Sequence, residues 1–244
     1  GSEMCIRDRP GMVGLEAGQS SFGDVYAMFR RILEYPVRSI LPQTAENKLS
    51  KEEVDKIIED TCDRIIVKLT EDAEKIPVSE STMIATDWIN GRRTPDANQM
   101  LKGTIAGFTL GTTAPLIFRA LVEATAYGTK AIVDRFENEG IVIDNVIGIG
   151  GIALKSPFVM QTMCDVINKP IKVCNTDQAC ALGAAMFAAT AAGVYAKVED
   201  AIQHMNSGFS KEYKPNPENV KLYSEIYKKY STLGEFTEKQ LFNE

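Results

Sequence analysis

The sequence predicts an α/β fold, a mixed β-sheet flanked by helices, and three observations lead to that prediction. Two short apolar runs, 145–149 and 171–174, have the length and composition of buried strands. A segment with helical character follows each run, so that strands and helices alternate from residue 144 to 193. The second of these helical segments, "QACALGAAMFAATAAGV", is so rich in Ala and Gly that we expect another element to pack very close to it. Because crossover connections within a sheet are right-handed and join parallel strands, we expect the two runs to pair side by side.

The elements before this unit are predicted from helical spacing and from caps. The stretch "GMVGLEAGQSSFGDVYAMF" begins Gly-rich and strand-like, and a helix starts near Phe22. The stretch "LSKEEVDKIIEDTCDRIIVKL" predicts an amphipathic helix that Ser50 and Glu53 begin as a capping box. The residues expected on the inner faces are Val25, Tyr26, Phe29, Ile32 and Leu33 in the first helix, and Val54, Ile57, Ile58, Thr61 and Ile65 in the second.

Four further segments complete the predicted order of elements. "TMIATDWINGRRTPDAN" predicts a strand that ends in a turn-rich loop, because Asn-Gly and a later Pro interrupt it. Residues 114–136 predict a long helix that is mostly buried, since it is rich in small residues. In "SPFVMQTMCDVIN", Pro157 fits the first turn of a helix. The last stretch, "PENVKLYSEIYKKYSTLGEFTE", predicts an amphipathic helix whose inner side carries Tyr223, Ile226, Tyr227, Tyr230 and Leu233.

Composition excludes several classes of function. The 244 residues are 44% hydrophobic, which is enough for a substantial core. The 27 Lys and Arg against 33 Asp and Glu give a net charge of −6 without a basic block, so nucleic acid is not an expected partner. No apolar run reaches the length of about 18 residues that a membrane span needs, and no signal peptide opens the chain, so we expect a cytoplasmic protein without a membrane partner.

Cysteine and histidine usage narrows the chemistry further. The five cysteines form no C-x-x-C pair, so we expect reduced thiols that mostly fill the core, with neither a zinc site nor a disulfide framework. His204 is the only histidine. A Ser-His or Cys-His nucleophile would therefore have to use that residue, and a position on the surface is expected for it instead.

A pair of glycines in "GIGGIALKSPF" is the clearest candidate for a binding site. Gly150 and Gly151 follow the strand at 145–149 and precede the helix that opens near Ser156. Such a turn at the carboxyl end of a strand presents unpaired backbone N–H groups, which suit a phosphate. A tight turn without a ligand is the alternative, and the spacing leaves it open. The dinucleotide G-x-G-x-x-G pattern and the G-x-x-x-x-G-K-[ST] P-loop are both absent, so a nucleotide would be bound by another architecture.

The segment around this pair resembles a known family. "NVIGIGGIALKSPFVMQTMCDVINKPIKVCNTDQACALGAAMFAA" is similar to the adenosine-binding segment of the FGGY family of carbohydrate kinases, which share the actin-like ATPase (ribonuclease H-like) fold. "LEAGQSSFGDVYAMF", "DWINGRRTPDANQMLKGTIAGFTL" and "LIFRALVEATAYGTKAIVDRF" are similar to the L-ribulokinase branch of that family. The similarity extends from about Pro10 to Tyr230. It implies phosphorylation of L-ribulose to L-ribulose 5-phosphate with ATP and Mg²⁺, a step of L-arabinose catabolism, in a cleft between two domains.

The resemblance also implies roles for the residues of the glycine segment. Gly150 and Gly151 match the family's nucleotide-contacting glycines, and Ile152 and Ser156 match positions that line the adenosine side. For Ser156, the position of a helix N-cap is an equally simple interpretation.

Two more positions outside that segment match ligand-contacting residues of the family. Gly103 matches a glycine whose backbone approaches the nucleotide, and Glu16 matches an acidic residue that hydrogen-bonds the sugar. The alternatives are a simple bend at Gly103 and a loop carboxylate at Glu16. Arg92 and Arg93 could meet a phosphate, but we favour a solvated turn that shapes the fold.

The resemblance leaves some of the family's machinery unmatched. Its D-x-G-[TS] phosphate turn, its second phosphate loop and its catalytic Asp have no counterpart in residues 10–244, so no catalytic residue and no metal ligand is assigned. Asp24, Asp87, Asp165 and Asp177 do not match the catalytic position. Residues 1–9 resemble a translated sequencing adapter and are expected to be a non-native leader. Residues 10–244 are expected to form the C-terminal domain (domain II), truncated at its N-terminus and inactive alone.

Two alternatives to the L-ribulokinase hypothesis remain open at this point. One is another FGGY sugar or polyol kinase, similar to a xylulokinase or glycerol kinase, which would differ in the substrate that is phosphorylated. The other is a non-catalytic actin-fold module that binds a nucleotide. Homo-oligomer formation is left open.

Overall fold

The structure is a computed structural model that describes residues 12, 14–46 and 48–241. The expected leader, residues 1–9, lies outside the described residues. The helices are α1 (Gly23–Ser39), α2 (Leu41–Ala45), α3 (Lys51–Glu74), α4 (Ala114–Asn138), α5 (Gly151–Lys155), α6 (Pro157–Ile167), α7 (Ala179–Ala191), α8 (Val198–Met205) and α9 (Pro217–Phe236). A 3₁₀ turn spans Val78–Glu80, and a π-helical turn at Thr237–Leu241 follows α9. The strands are β1 (Ile84–Ala85), β2 (Ile105–Ala106), β3 (Val146–Gly148), β4 (Ile171–Cys174) and β5 (Phe209–Tyr213).

The described strands form one mixed sheet of order β3-β4-β5 and one short antiparallel pair, β1-β2. Strands β3 and β4 are parallel, with Val146 opposite Ile171 and Gly148 opposite Val173. Strand β5 adds to the other edge of β4 in the antiparallel sense. The α/β class, the mixed sheet and the parallel pairing predicted from the sequence are therefore confirmed. Strand β5 was not predicted, because its residues from Phe209 to Glu212 are exposed and lack an apolar run.

Helix α4 lies at the centre of the fold. Every residue from 118 to 128 is buried, and the helix packs against α1, α3, α6 and β1. Its small residues allow these neighbours to approach closely, as the sequence predicted. The predicted capping box also forms: Glu53 N donates to Ser50 Oγ at 3.3 Å, and Ser50 N donates to Glu53 Oε2 at 2.8 Å. On α9, Tyr223 and Tyr230 are buried, while Ile226, Tyr227 and Leu233 are half-buried.

Some predictions about the N-terminal segment and about the buried faces of α1 and α3 are wrong. Residues 14–21 form no strand, because their hydrogen bonds go to the loop after β1 and to α4 and not to another strand. Ile32 on α1 is 57% exposed, and Ile57 and Thr61 on α3 are exposed as well. The buried stripe of α3 instead follows steps of about four residues, since α1 and α4 contact only one narrow side of it. That stripe consists of Val54, Ile58, Cys62, Leu69 and Ala73.

The expectation of close packing around α7 is also wrong. Among the described residues of this helix only Met186 is buried, and Phe187 is 54% exposed. A Cβ placed on Gly183 would meet nothing within 4 Å. The main neighbour of α7 is α8, which covers one side only. An Ala- and Gly-rich helix can accept a close neighbour, but its composition does not supply one.

The remaining composition-based predictions can be checked at individual residues. His204 is exposed on α8, and its Nδ1 lies 2.7 Å from the carbonyl oxygen of Asp200. Cys62 and Cys164 are buried free thiols, whereas Cys180 is exposed. Burial raises the pKa of the Cys164 thiol to about 12. None of the described helices combines the length and the apolar character needed to cross a membrane.

Candidate functional site

The glycine pair lies at the carboxyl end of β3, where the chain turns into α5. Gly150 has φ 88° and ψ 177° and is the N-cap residue of α5, which begins at Gly151. A φ of that sign disfavours any residue with a Cβ, so the conformation accounts for Gly150. Gly151 has no such requirement. A Cβ placed on either residue would meet nothing within 4 Å, so the backbone of the turn is open to an approaching group.

An apolar groove of about 380 Å³ adjoins the turn. Gly151 and Ile152 contribute to its wall together with α4, α6 and both parallel strands. Its lining includes Phe22, Ile149, Ala153, Met160 and Ile171. Such a surface suits a flat apolar group and offers almost no side-chain hydrogen bonds, so backbone groups of the turn are the polar partners nearest to it.

Ser156 and Ile152 both have structural roles at this site. Ser156 is the N-cap of α6, and its Oγ accepts a hydrogen bond from Val159 N at 3.5 Å. Pro157 occupies the first helical position, as predicted. The Ile152 side chain reaches Gly23, where an added Cβ would lie 3.0 Å from its Cδ1. Ile152 thus links the groove to the start of α1.

Gly103 lies in a different part of the domain. It precedes β2, and a Cβ there would overlap the Cδ1 of Ile89 and lie 3.4 Å from the Cα of Ile89. Close packing against Ile89 therefore accounts for the glycine. Gly103 does not line the groove beside Gly151.

Glu16 is exposed on the irregular segment 14–21, which is tied to the loop after β1. Gly18 N donates to Thr94 Oγ1 at 3.3 Å, and Thr94 N donates to the carbonyl oxygen of Gly18 at 3.2 Å. Gln19 follows, and its side-chain amide reaches both this loop and α4. Thr129, one of the partners of Gln19, also lines the groove beside Gly151.

A second cavity, of about 300 Å³, lies between this segment, the loop 88–96, α4 and α9. Asp87 lies at its wall, where Oδ2 accepts from Gln19 Nε2 at 2.9 Å and Oδ1 accepts from Tyr230 Oη at 2.7 Å. Burial is the main cause that raises the pKa of the Asp87 carboxyl, while the two hydrogen bonds and nearby Arg92 act in the opposite direction. None of the residues lining this cavity lines the groove beside Gly151.

Arg92 is a structural residue of this cavity and Arg93 is exposed. The Arg92 guanidinium makes two hydrogen bonds to Glu238, of 3.0 Å from Nη1 to Oε2 and 2.7 Å from Nη2 to Oε1. It also lies 4.8 Å from the centre of the Trp88 ring. Arg92 therefore shapes the fold, as predicted, because its side chain joins the loop to the turn after α9, but this side chain is half-buried and not solvated.

The described residues contain no group of three or more His, Cys, Asp or Glu side chains placed to hold a metal ion. Asp165, for example, is buried and its oxygens accept hydrogen bonds from Gln161, Asn216 and Asn219. This carboxylate ties α6 to the start of α9.

Comparison with known proteins decides the family. Residues 3–192 match the C-terminal domain of the FGGY family of carbohydrate kinases. The chain belongs to this family. Curated FGGY relatives include a ribulokinase from Vibrio parahaemolyticus, 44% identical over 229 residues, and one from Bacillus licheniformis, 39% identical over 235 residues. The matches cover 94% and 95% of this chain but only 39% and 40% of the relatives, so the chain spans about two fifths of their length.

Solved structures of FGGY kinases share the fold. The crystal structure of a xylulose kinase from Rhodospirillum rubrum superposes with a TM-score of 0.66 at 21% identity, over 90% of this chain and 39% of that one. A Plasmodium falciparum glycerol kinase with ADP superposes with a TM-score of 0.61 at 24% identity, over 72% of this chain and 34% of that one. The predicted actin-like ATPase fold is thereby confirmed.

The polar network of Gln19, Asp87 and Tyr230 is not predicted by the sequence patterns. Gln19 and Asp87 are 68 residues apart in the sequence, and Asp87 and Tyr230 are 143 residues apart, so no local pattern joins them. The available signal was that Gln19 follows Glu16 in the same family motif, "EAGQS", in a segment that has no regular structure of its own.

Proposed function

We propose that this domain supplies the nucleotide side of an ATP-dependent kinase that phosphorylates L-ribulose to L-ribulose 5-phosphate. The observation that carries the proposal is the open turn at Gly150 and Gly151, beside an apolar groove at the carboxyl end of two parallel strands. Ligands of open α/β sheets bind at such places. The ribulokinase names of the curated relatives at 33–44% identity favour L-ribulose over other sugars.

The residues present fit a nucleotide. The first backbone N–H groups of α5, from Gly151 onward, have no carbonyl partner within the helix, and the glycines leave room for a phosphate to reach them. The apolar groove beside Ile152 suits the adenine ring. Ser156 contributes by fixing the start of α6 at the groove. We assign Gly103 a packing contribution and Glu16 a hydrogen bond to the sugar.

Phosphoryl transfer depends mostly on positioning and on neutralisation of phosphate charge. Mg²⁺ bound together with ATP would supply that neutralisation. In this proposal the backbone of the Gly150–Gly151 turn orients the phosphate chain, and Glu16 orients the sugar hydroxyl groups. We assign no catalytic base within residues 10–244. A cytoplasmic location suits an enzyme that uses ATP and is part of this proposal.

Gly151 provides the sharpest test, because it is free of both backbone strain and side-chain neighbours. We expect Gly151→Val to weaken MgATP binding by about tenfold or more while leaving L-ribulose binding nearly unchanged, since the added side chain blocks approach to the backbone. Isothermal titration on the chain, and kinetics on a complete kinase that carries this domain, measure both affinities. Gly111→Val is the control, since Gly111 is exposed outside the glycine segment and a Cβ there would meet only Thr109 Oγ1, at 3.8 Å.

Two results would contradict the proposal. Unchanged MgATP affinity in a folded Gly151→Val variant would reduce the glycine pair to a simple turn. L-Ribulose turnover by the 244-residue chain alone, within tenfold of an intact ribulokinase, would place a catalytic base inside residues 10–244. Nucleotide binding without turnover of any sugar by a complete kinase would favour the non-catalytic alternative, and a preference for xylulose or glycerol would favour the other branches of the family.

A further inference from the structure

The side-chain amide of Gln19 has a hydrogen-bond partner on each side. Its Nε2 donates to Asp87 Oδ2 and to the carbonyl oxygen of Thr125, both at 2.9 Å. Its Oε1 accepts from Thr129 Oγ1, also at 2.9 Å. Asp87 follows β1, and the two threonines lie on α4, so one side chain joins an irregular segment to two fixed elements. Such a full set of bonds defines the position of the amide closely.

A glycine in α4 makes this arrangement possible. A Cβ on Gly128 would overlap Asp87 Oδ2 and Gln19 Nε2, so any larger residue there would displace the amide. Glycine in the middle of a helix costs about 0.5–1 kcal/mol relative to alanine. The close approach of Gln19 and Asp87 to the helix gives a physical reason for that glycine.

The backbone beside Gln19 is held as well. Gly18 exchanges two hydrogen bonds with Thr94, one in each direction. Residues 18 and 19 are thus fixed between the loop after β1 and the central helix. Glu16 lies only two residues before Gly18, on the exposed part of the same segment.

We propose that Gln19 is a positioning residue for sugar recognition: its amide, held by Asp87 and Thr129, sets where the Glu16 carboxylate meets the sugar. This inference rests on the proposed function, because Glu16 contacts the sugar only there. A displacement of about 1 Å in a group that orients a substrate can cost up to about 100-fold in rate. Segment 14–21 contains no helix or strand, so hydrogen bonds to other elements, such as those of Gln19, contribute to its position.

Tyr230 extends the anchor to α9. It donates to the second oxygen of Asp87 at 2.7 Å, so the carboxylate is fixed from both sides. Asp87 then fixes the position of the Gln19 amide, and Gln19 fixes the segment that carries Glu16. None of these three supporting residues needs to touch the substrate, which distinguishes them from Glu16.

The test compares two glutamines with matched surroundings in a complete kinase that carries this domain. Gln161 Nε2 also donates to an aspartate oxygen, of Asp165 at 2.8 Å, and to a backbone carbonyl, of Lys214 at 2.9 Å. We expect Gln19→Ala to raise the KM for L-ribulose by about tenfold or more and to change the KM for ATP by less than about twofold. Gln161→Ala is expected to leave both values within about twofold.

A second, milder variant tests the same inference if Gln19→Ala does not fold. Thr129→Val removes only one bond of the Gln19 amide and keeps the shape of the side chain. We expect it to raise the KM for L-ribulose by about two- to fivefold. Thr70→Val is its control, since Thr70 Oγ1 donates only to the carbonyl oxygen of Ile66 on α3.

Hydrogen–deuterium exchange on the chain measures, without an enzyme assay, how strongly Gln19 holds segment 14–21. We expect Gln19→Ala to speed exchange in residues 14–20 and to leave β4 protected as before. Equal KM increases for both substrates, or an unchanged KM for the sugar in a folded Gln19→Ala variant, would overturn the inference. If the wild-type kinase phosphorylates a different sugar and not L-ribulose, the L-ribulose assignment fails. The same comparison of KM values is then made with the sugar that the kinase accepts.

Discussion

Tyr230 on α9 donates a hydrogen bond of 2.7 Å to Oδ1 of Asp87, across 143 residues of sequence. Both side chains are buried. The bond joins the last long helix to the loop after β1, and Gln19 joins the same carboxylate to the irregular segment 14–21. This contact therefore connects the C-terminal helix to the segment that carries Glu16.

Removal of the Tyr230 hydroxyl should destabilise the domain. We expect Tyr230→Phe to lower the free energy of unfolding by about 1–3 kcal/mol, because a buried carboxylate oxygen loses its donor. Urea unfolding followed by circular dichroism measures the change. Tyr35→Phe is the control, since Tyr35 is 68% exposed, and it should be nearly neutral. Equal stability of the two variants would show that the bond to Asp87 contributes little.

Asp87 should make stability depend on pH in an unusual direction. Burial holds the pKa of its carboxyl above the ordinary value, so the folded state keeps the proton longer than the unfolded state as pH rises. Asp87 therefore stabilises the folded state most at pH values below about 3.9, the pKa of its carboxyl in the unfolded chain. This stabilisation decreases as pH rises toward the pKa in the folded state, by at most about 1.4 kcal/mol per pH unit.

Asp87→Asn removes this titration. Unfolding free energies of wild type and variant, measured from pH 3.5 upward, should give a difference that shifts in favour of the variant as pH rises. The altered hydrogen bonds of the variant add a constant to the difference in unfolding free energy and do not change how that difference varies with pH. A difference that stays flat, or that shifts in favour of the wild type, would contradict a raised pKa at Asp87.

Two ion pairs, one within α4 and one at its C-terminal end, allow the cost of burial to be measured. Arg119 Nε lies 2.8 Å from Glu123 Oε1, and both side chains are buried, with 4% and 1% exposed. Arg135 Nε lies 2.9 Å from Glu139 Oε1, and both side chains are exposed, at 51% and 62%. Arg119 also donates to the carbonyl oxygens of Ala73 and Ile76.

We expect Glu123→Ala to destabilise the domain by about 3–5 kcal/mol, because it leaves the Arg119 charge buried without its partner. Glu139→Ala should cost about 0.5 kcal/mol or less, since water screens the exposed pair. Chemical unfolding of both variants checks the contrast. Similar costs for the two changes would mean that water reaches the Arg119 side chain.

Glycines in two helices should respond oppositely to alanine. Gly183→Ala on α7 should stabilise the domain by about 0.5–1 kcal/mol, because the added methyl meets nothing and alanine favours the helix. Gly128→Ala on α4 should destabilise it by about 1–3 kcal/mol, because the methyl displaces Gln19 or Asp87. Thermal unfolding of both variants measures the signs. Stabilisation by Gly128→Ala would show that the amide moves aside without cost.

Features that depend only on neighbouring residues can be predicted from the sequence alone. The Ser50–Glu53 capping box, the Ser156–Pro157 helix start, the long buried helix and the parallel pair β3-β4 all follow from short-range sterics, hydrogen bonds and periodicity. The glycine pair was also placed correctly at the end of β3. Its family resemblance pointed to a nucleotide, a role that stays a proposal here.

Relationships between distant segments depend on the tertiary fold and could not be predicted from local patterns. Composition predicted a close neighbour for α7, yet an Ala-rich surface only permits packing, and the helix is largely exposed. No local pattern could place Gln19 beside Asp87, or Arg92 on Glu238, since these pairs are 68 and 146 residues apart. Hydrogen bonds of this kind form only after the chain has folded around α4, because the positions of both partners depend on how every intervening element packs.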